Sequence, residues 1–332
     1  MIPERPILQV NNLCTWFNTP RGVLKAVDDV SFSLNRGETL GIVGESGCGK
    51  SVTCNSVMRL VQTPPGEYAG GEILFDGQDI LKMPKKKLLE LRGRRIAMIF
   101  QEPMAALNPV YTIGDQLREA LRLHMTISKR EANERALELL KMVRIPNAEK
   151  IMRSYPHTLS GGMRQRVVIA MAMACEPDVL IADEPTTALD VTIQAQILHL
   201  MRKLKEERNT SILFITHDLA VISETADRVM VMYAGKVCES APTKELIRNA
   251  CHPYTIGLIA SKPNPKEMGT RLRAIPGNVP SLLDKPSGCP FHPRCSECTA
   301  RCKEAFPPTV EVCPGHAVAC WKYAQQEESS HE

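Results

Sequence analysis

The fold of this chain is decided by the stretch Gly44-Glu45-Ser46-Gly47-Cys48-Gly49-Lys50-Ser51. It matches the pattern G-x-x-x-x-G-K-[ST] of loops that bind phosphate. In such a loop the glycines let successive backbone N–H groups point at one anion, and the N-terminus of the next helix adds partial positive charge. We therefore predict that the whole loop binds phosphates, with Lys50 on the β- and γ-phosphates and Ser51 on Mg²⁺.

The sequence on either side supports this interpretation. Glu38–Val43 is a run typical of a buried strand, and Val52–Leu60 has the pattern of a helix. Strand, loop and helix in this order are the context that the motif requires. The predicted fold class is α/β, with a P-loop nucleotide-hydrolase core, and a Gly-rich turn that merely starts a helix is the weaker alternative.

Composition narrows the function classes. The chain has 332 residues, enough for two domains, and a formal net charge of +4 that is spread along its length and does not argue for nucleic acid. Met1–Leu13 lacks the apolar core of a signal peptide. No apolar run approaches the roughly 20 residues that cross a bilayer. We expect a soluble protein that meets a membrane only through a partner.

Carboxylates and an amide follow two further strand-like runs. Asp183 and Glu184 end the apolar run that begins at Asp178, and Gln101 follows the run Arg95–Phe100. Burying unpaired charge is costly, so two acids at the end of a buried strand are rarely structural. We predict that Asp183 ligates Mg²⁺ and that Glu184 is the general base for an attacking water. Gln101 can reach Mg²⁺ or that water, although most Gln residues at strand ends are solvated.

Three more positions are candidates for the nucleotide site. Ser160-Gly161-Gly162 precedes a strongly helical run and offers backbone N–H groups to a second anion, although an ordinary helix cap is the better explanation of these three residues taken alone. Asp190 is placed to cap a long helix, and His217 ends the strand-like run Ser211–Ile215, where it could touch the γ-phosphate.

The adenine ring needs a stacking partner. Phe17 lies upstream of the phosphate loop and is the first choice, with Trp16 second. Packing in the core is an equally good explanation of either ring. Thr112–Ile145 has a helical pattern, with a capping box at Ser128 and Glu131, and we interpret it as a helical insertion.

These motifs, in this order, resemble those of ABC-type ATPases. The resemblance covers roughly residues 5–255, with a helical subdomain at about 104–175 and an antiparallel β subdomain. It implies a head-to-tail dimer in which residues 160–162 close on ATP held by the partner's phosphate loop, with Asp190 at the dimer seam. It also implies that Glu184 is the base, that Gln101 contacts Mg²⁺ and couples to the membrane subunit, and that His217 senses the γ-phosphate.

A finer resemblance is to the dipeptide/oligopeptide/nickel importer ATPases, and most of all to the dipeptide type. It is carried by Gln101–Pro109, Asp183–Gln196, His252–Thr255 and Gly288–Cys295. It implies a motor subunit at the cytoplasmic face of the membrane, paired with a second related ATPase, two transmembrane permeases and an extracytoplasmic peptide-binding protein. Importers of nickel chelates or haem share the same motifs, because the solute never meets this subunit.

Six cysteines crowd into the segment from Cys289 to Cys320. Without a secretory signal, metal is a better explanation than disulfides. We interpret residues 256–325 as an extension that is too poor in helical or alternating pattern to bury much core and that needs a metal staple. The importer resemblance implies that Cys289, Cys295, Cys302 and Cys320 bind a [4Fe–4S] cluster. Cys298 and Cys313 depart from the family pattern, and the pair Cys295-x-x-Cys298 keeps zinc open.

Two other functions remain in view at this point. A soluble ABC ATPase that acts on nucleic acid or the ribosome usually has tandem ATPase domains or a long coiled-coil insertion, whereas this chain has one phosphate loop. An iron–sulfur sensor with a vestigial ATPase half would not need Lys50, Asp183, Glu184 and His217 all intact. We expect an importer ATPase.

Overall fold

The computed structural model describes residues 5–186, 189–261 and 275–324. The chain divides into two units that are each assembled from separate stretches. The first contains the chain up to Gln9, Ser33–Thr39 and Leu74–Ile215. The second contains Val10–Phe32, Leu40–Ile73 and the chain from Thr216 onward.

The secondary structure is mixed. In chain order the strands are β1 (Leu8–Thr19), β2 (Gly22–Leu34), β3 (Thr39–Val43), β4 (Gly66–Phe75), β5 (Gln78–Asp79), β6 (Ile96–Ile99), β7 (Val179–Asp183), β8 (Ser211–Ile215), β9 (Arg228–Tyr233), β10 (Lys236–Pro242), β11 (Thr309–Cys313) and β12 (His316–Ala319). The helices are α1 (Lys50–Val57), α2 (Lys85–Leu91), α3 (Pro103–Ala106), α4 (Ile113–His124), α5 (Lys129–Met142), α6 (Ala148–Ile151), α7 (Gly161–Met173), α8 (Val191–Arg208), α9 (Leu219–Thr225), α10 (Thr243–Arg248), α11 (Pro253–Ala260) and α12 (Ala300–Glu304).

A parallel arrangement of β6, β7 and β8 forms the centre of the first unit, with β7 in the middle. Every residue of these three strands is buried. Continuous apolar runs are typical of parallel strands that are covered on both faces, and the sequence predicted all three strands on that basis. Because β6 and β7 run in the same direction, the residues that follow them reach the same edge.

The helical insertion belongs to the same unit. The helical pattern predicted over 112–145 corresponds to two helices, α4 and α5, and Ser128, where the capping box was predicted, is the N-cap of the second. The predicted capping box is confirmed: Glu131 N donates to Ser128 Oγ (3.2 Å), and Ser128 N donates to the Glu131 carboxylate (2.7 Å). The buried side chains of α5 are those of the predicted apolar stripe, namely Ala132, Ala136, Leu139 and Leu140.

In the second unit the strands follow one another in the order β11-β12-β10-β9-β3. β3 and β9 are parallel, whereas the pairs β9–β10, β10–β12 and β11–β12 are antiparallel. β9 and β10 form a hairpin with Ala234-Gly235 at its turn. β1 runs to Thr19 and β2 starts at Gly22, so only a short turn separates these two strands.

The tail contains more regular structure than its sequence pattern indicated. β11 and β12 form a hairpin, and β12 continues the sheet by pairing with β10, where Val318 lies opposite Glu239. A bulge between Glu311 and Cys313 interrupts the alternation, which is why the pattern was weak. Among the described residues, no helix is both long enough and apolar enough to cross a membrane.

Candidate functional site

The phosphate loop joins the buried strand β3 to helix α1. Gly49 has φ +104° at the N-cap of α1, and a Cβ there would lie 2.3 Å from the carbonyl oxygen of Ala26. A Cβ at Gly44 would lie 2.2 Å from the carbonyl oxygen of Met232. The backbone of the loop is therefore packed too closely for side chains at these two positions. Helix α1 begins at Lys50, two residues before the predicted start at Val52.

Lys50 directs its ammonium group back over the loop. Its Nζ donates to the carbonyl oxygens of Gly44 (2.7 Å) and Glu45 (3.0 Å), and the residue is only 6% exposed. Burial raises the pKa of the Cys48 thiol beneath it, and Lys50 opposes that shift. The loop thus holds a buried ammonium group beside its own backbone carbonyls, where phosphate oxygens would meet it.

Glu45 is held by side chains that the motifs did not predict. Arg294 forms a bidentate ion pair with its carboxylate, with Nη1–Oε2 at 2.7 Å and Nη2–Oε1 at 3.1 Å. The backbone N–H of Glu45 donates to the Tyr254 hydroxyl at 2.8 Å. Tyr233 contacts the same guanidinium, which is 4% exposed. The signal that could have found them lies in His252–Thr255 and Gly288–Cys295, stretches that served only for the family resemblance.

The other predicted residues of the second unit have more ordinary surroundings. Ser51 lies in the first turn of α1 and is half-buried. Phe17 is half-buried on β1 and packs close to Gly66, and the alternative, Trp16, has the Lys25 ammonium 4.5 Å from the centre of its ring. His217 is exposed and follows Thr216, whose N–H donates to Ile42 O in β3, so His217 lies beside the strand that leads into the phosphate loop.

In the first unit, Gln101, Asp183 and Glu184 come together. Gln101 Nε2 donates to Glu184 Oε2 at 3.2 Å, because β6 and β7 are adjacent and parallel. Asp183 is 4% exposed at the end of β7. Glu184 has φ +47°, an uncommon conformation for a residue with a side chain. A half-buried carboxylate held beside an amide, next to a buried aspartate, is suited to orienting a water molecule.

Ser160, Gly161 and Gly162 begin helix α7. Ser160 is the N-cap and accepts from Met163 N at 3.3 Å, while Gly161 is exposed and a Cβ placed on it would meet nothing within 4 Å. The start of this long helix is therefore open to an anion. Gln165, to which the sequence assigned no role of its own, is buried and donates from Nε2 to Pro185 O at 2.9 Å, linking α7 to the segment after Glu184.

Asp190 caps α8 as predicted, because Ile193 N donates to its Oδ1 at 3.0 Å. The residue itself is exposed. Val191 and Thr192, which follow it in the first turn of α8, are exposed as well, so this helix start has surface available for a partner.

The tail encloses a cavity of about 300 Å³. Four of its lining residues are the cysteines Cys289, Cys295, Cys302 and Cys320. Burial raises the pKa of Cys289 to about 12 and also raises the pKa values of Cys295 and Cys320. Cys298 is not among the described lining residues, and its Sγ lies 3.4 Å from Thr299 O. The four predicted ligands therefore share one cavity without Cys298.

Two family models cover most of the chain. "ABC transporter" matches residues 27–187, and "Oligopeptide/dipeptide transporter, C-terminal region" matches residues 238–302. A third, an AAA domain described as a putative AbiEii toxin of a type IV toxin–antitoxin system, matches residues 153–223.

Curated relatives match over nearly the whole chain. A probable peptide ABC transporter ATP-binding protein, y4tR of Sinorhizobium fredii, is 50% identical over 95% of both chains. The oligopeptide transport ATP-binding protein OppD of Salmonella typhimurium is 48% identical over 98% of this chain and 96% of its own. AppD of Bacillus subtilis, which has the same description, is 49% identical over 96% and 98%.

Solved structures match the ATPase part. The dimeric structure of MJ0796, a bacterial ABC transporter cassette, is 28% identical with a TM-score of 0.65, and covers 71% of this chain and 98% of that one. The same cassette in a post-hydrolysis dimer bound to ADP and Pi gives a TM-score of 0.66 with the same coverage. CbiO1 of Clostridium perfringens, part of an ABC transporter complex, gives 0.61 at 29% identity, over 74% and 92%.

Proposed function

This chain belongs to the ATP-binding proteins of peptide ABC transporters, and from that membership we propose that it powers the uptake of short peptides, dipeptides above all. It is an ATPase and the motor subunit of a peptide importer. It works as a dimer that is coupled to membrane permeases. The partner ATPase in our proposal is a related but different chain, and an extracytoplasmic peptide-binding protein delivers the solute.

The proposed chemistry is attack of water on the γ-phosphate. Glu184 takes the proton from the water, and its hydrogen bond to Gln101 is the single observation that carries this assignment. Backbone N–H groups of the loop and the Lys50 ammonium stabilise the phosphate charge. Ser51, Asp183 and Gln101 are the residues that would hold Mg²⁺, and the ion would supply positive charge against the charge that develops on the phosphate oxygens. Hydroxyl, carboxylate and amide oxygens are suitable donors for that ion.

The proposed dimer completes each nucleotide site. Ser160, Gly161 and Gly162 at the start of α7 bind ATP that lies in the partner's phosphate loop. His217 contacts the γ-phosphate, Phe17 stacks on adenine, and Asp190 lies at the seam. The proposed domains are 5–255 for the ATPase, with its helical subdomain at about 104–175, and 256–325 for the extension. In the cell, the subunit lies peripherally at the cytoplasmic face of the membrane.

Uptake by the reconstituted importer tests the solute. Proteoliposomes that contain this chain, its partner ATPase, the permeases and the binding protein receive a labelled dipeptide, a longer peptide, a nickel chelate or haem. We expect ATP-dependent accumulation of the dipeptide above all, and none with the Lys50→Ala variant. Accumulation of the chelate or haem without peptide uptake would refute the proposal.

The tail cavity is the proposed seat of a [4Fe–4S] cluster bound by Cys289, Cys295, Cys302 and Cys320. Four thiolates around one zinc ion would lie about 3.8 Å apart, given Zn–S bonds of about 2.3 Å. Among the described residues, these four do not form a group of sulfurs within 4.8 Å of one another. A cavity of about 300 Å³ whose four thiols are not gathered within 4.8 Å of one another is the observation that supports a four-iron cluster over one zinc ion.

Anaerobic purification tests this ligand set. We expect a brown protein with iron and inorganic sulfide, and loss of the colour when Cys289 and Cys295 are replaced by Ser. The Cys298→Ser variant is the matched control and keeps the colour. A colourless protein with one equivalent of zinc that these replacements remove would establish the alternative.

A further inference from the structure

A second group of metal-ligating side chains lies where the tail meets the ATPase strands of the second unit. Glu245 on α10, Cys313 at the end of β11 and His316 at the start of β12 have ligand atoms that all lie within 4.8 Å of one another. None of them is among the described residues that line the four-cysteine cavity. None of the three residues belongs to the ATPase motifs or to the four proposed cluster ligands.

The spacing of the three atoms is that of a coordination sphere. His316 Nδ1 lies 3.8 Å from Glu245 Oε1, and Cys313 Sγ lies 3.9 Å from the same oxygen. An ion with tetrahedral ligands at about 2.0–2.3 Å separates those ligands by roughly 3.3–3.8 Å. The distance from Nδ1 is longer than an ordinary N–H···O hydrogen bond, the distance from Sγ is that of a weak S–H···O contact, and both are close to this range.

His316 is oriented by a buried carboxylate on its far side. Its Nε2 lies 2.7 Å from Glu239 Oε1, and both residues are 1% exposed. Backbone N–H groups of Cys251 (2.7 Å) and His252 (3.0 Å) fix the two oxygens of Glu239. Nε2–H therefore donates to Glu239, and the lone pair on Nδ1 faces Glu245 and Cys313. A carboxylate behind the histidine is the usual outer partner of a metal ligand.

The Nε2 side of the His316 ring is not the metal site. Glu239, Cys251 and His316 also have ligand atoms within 4.8 Å of one another. However, 2.7 Å between Nε2 and Oε1 is a hydrogen-bond distance that leaves no space for an ion. Glu239 is therefore a positioning residue, and the space for an ion is on the Nδ1 side.

The hairpin explains why two of the ligands meet. Cys313 and His316 are directly opposite each other in the β11–β12 pairing, and the bulge after Glu311 sets their register. Side chains of opposite residues point to the same face of a sheet. Gly315, with φ +76°, makes the tight turn between them, and its N–H donates to Glu311 Oε1 at 2.6 Å.

We propose that Glu245, Cys313 and His316 bind one divalent transition-metal ion, of the chemical class of Zn²⁺, with water in the fourth position. Thiolate, imidazole and carboxylate together suit Zn²⁺ rather than Mg²⁺ or Ca²⁺. On binding, the Cys313 thiol gives its proton to solvent, while the ring proton of His316 stays on Nε2. The ion fastens the tail hairpin to α10. This site does not depend on the solute or on the cluster.

Cobalt titration of the full-length protein tests the site. We expect the wild type to bind one more equivalent of Co²⁺ than the Cys313→Ser variant, and the difference spectrum to contain a thiolate-to-cobalt charge-transfer band. Glu245→Gln should weaken binding of this equivalent about tenfold or more. Cys298→Ser, which changes a thiol outside the group, should match the wild type. Equal stoichiometry and equal spectra for the wild type and Cys313→Ser would overturn the proposal.

A second measurement covers the case in which Cys313→Ser folds poorly. An ion that binds only the folded state raises the melting temperature in proportion to the logarithm of its concentration. Zn²⁺ should therefore stabilise the wild type and Cys298→Ser, and stabilise Glu245→Gln less at the same concentration. The proposal is wrong if Zn²⁺ shifts Glu245→Gln as much as it shifts the wild type.

Discussion

At the scale of single residues, the first unit puts a half-buried carboxylate and an amide at the ends of neighbouring parallel strands. The pairing of Gln101 with Glu184 follows from the register of β6 and β7. The sequence predicted the two strands and a role for each residue at the nucleotide site, but not that the strands are neighbours, because strand order is a tertiary property. The hold of Arg294 on Glu45 could not be predicted, because the two residues are 249 positions apart and no periodicity connects them.

Glu184→Gln tests the base at this scale. The amide keeps the shape and the hydrogen bond to Gln101 but cannot take a proton, so we expect turnover of the assembled importer to fall about a hundredfold or more, with ATP binding retained. Steady-state ATPase assays and trapping of a closed dimer by Mg-ATP measure the two effects. Glu207→Gln, on an exposed part of α8, is the control and should keep full turnover. Normal hydrolysis in Glu184→Gln would contradict the assignment.

His252 makes stability depend on pH. It is 2% exposed, its Nδ1 accepts from Tyr254 N at 3.0 Å, and burial lowers its pKa from 6.5 to about 4. Between pH 6.5 and about pH 4, His252 binds a proton in the unfolded chain but stays neutral in the folded chain. His252 therefore contributes its full stability above that pH, and up to about 3 kcal/mol is lost as the pH falls toward 4.

The His252→Asn variant isolates this effect. Asn keeps an acceptor at the N-cap of α11 but does not titrate. We expect urea unfolding of the wild type to lose free energy more steeply than the variant between neutral pH and about pH 4.5. Parallel slopes for the two proteins would exclude His252 as the source.

At the scale of elements, the strands were the most predictable part of the fold and the element ends the least. Buried runs such as Val179–Asp183 are directly recognisable as strands, whereas α1 starts two residues earlier than predicted because the loop's own Lys50 forms its first turn. The hairpin of β11 and β12 was missed since it depends on pairing with β10, which is a tertiary contact.

Gly49→Ala tests the junction between the loop and α1. Its Cβ would meet the Ala26 carbonyl at 2.3 Å in a left-handed conformation, so we expect a loss of about 3 kcal/mol or more and no ATP binding. Denaturant unfolding and nucleotide titration report both. Gly161→Ala is the matched comparison for stability, because a Cβ there meets nothing within 4 Å at a helical position, and it should be neutral or slightly stabilising. Equal stability of the two variants would contradict this explanation.

At the scale of the whole molecule, the proposed function depends on a second ATPase subunit. The start of α7 is exposed, and the phosphate loop belongs to the other unit of the chain. The sequence motifs identify these two parts of the proposed nucleotide site, and the partner subunit supplies the counterpart of each. The order of the motifs was sufficient to identify the family, because few families place Ser-Gly-Gly between a phosphate loop and an Asp-Glu strand.

Gly161→Asp tests that the partner's ATP meets this helix start. A carboxylate in the first turn suits the helix dipole, so folding should be unaffected, but it repels the γ-phosphate. We expect normal ATP binding to the chain's own loop and loss of ATP-driven dimerisation, measured by light scattering of the assembled ATPase pair. Gln196→Glu adds the same charge elsewhere on an exposed surface and should dimerise normally. If the Gly161→Asp protein dimerises like the wild type, the proposal that α7 of one subunit binds ATP in the partner's phosphate loop is wrong.

The ion pair between Arg294 and Glu45 affects how a truncated form of this protein would behave. A recombinant fragment that stops near residue 255 would retain every nucleotide motif, yet it would discard the guanidinium that clamps the second residue of the phosphate cradle. Such a fragment would contain all the nucleotide-binding motifs, but we expect it to bind and hydrolyse ATP poorly. We therefore expect the ATPase domain and the extension to need expression together, and a truncated protein to be a poor test of what the extension does.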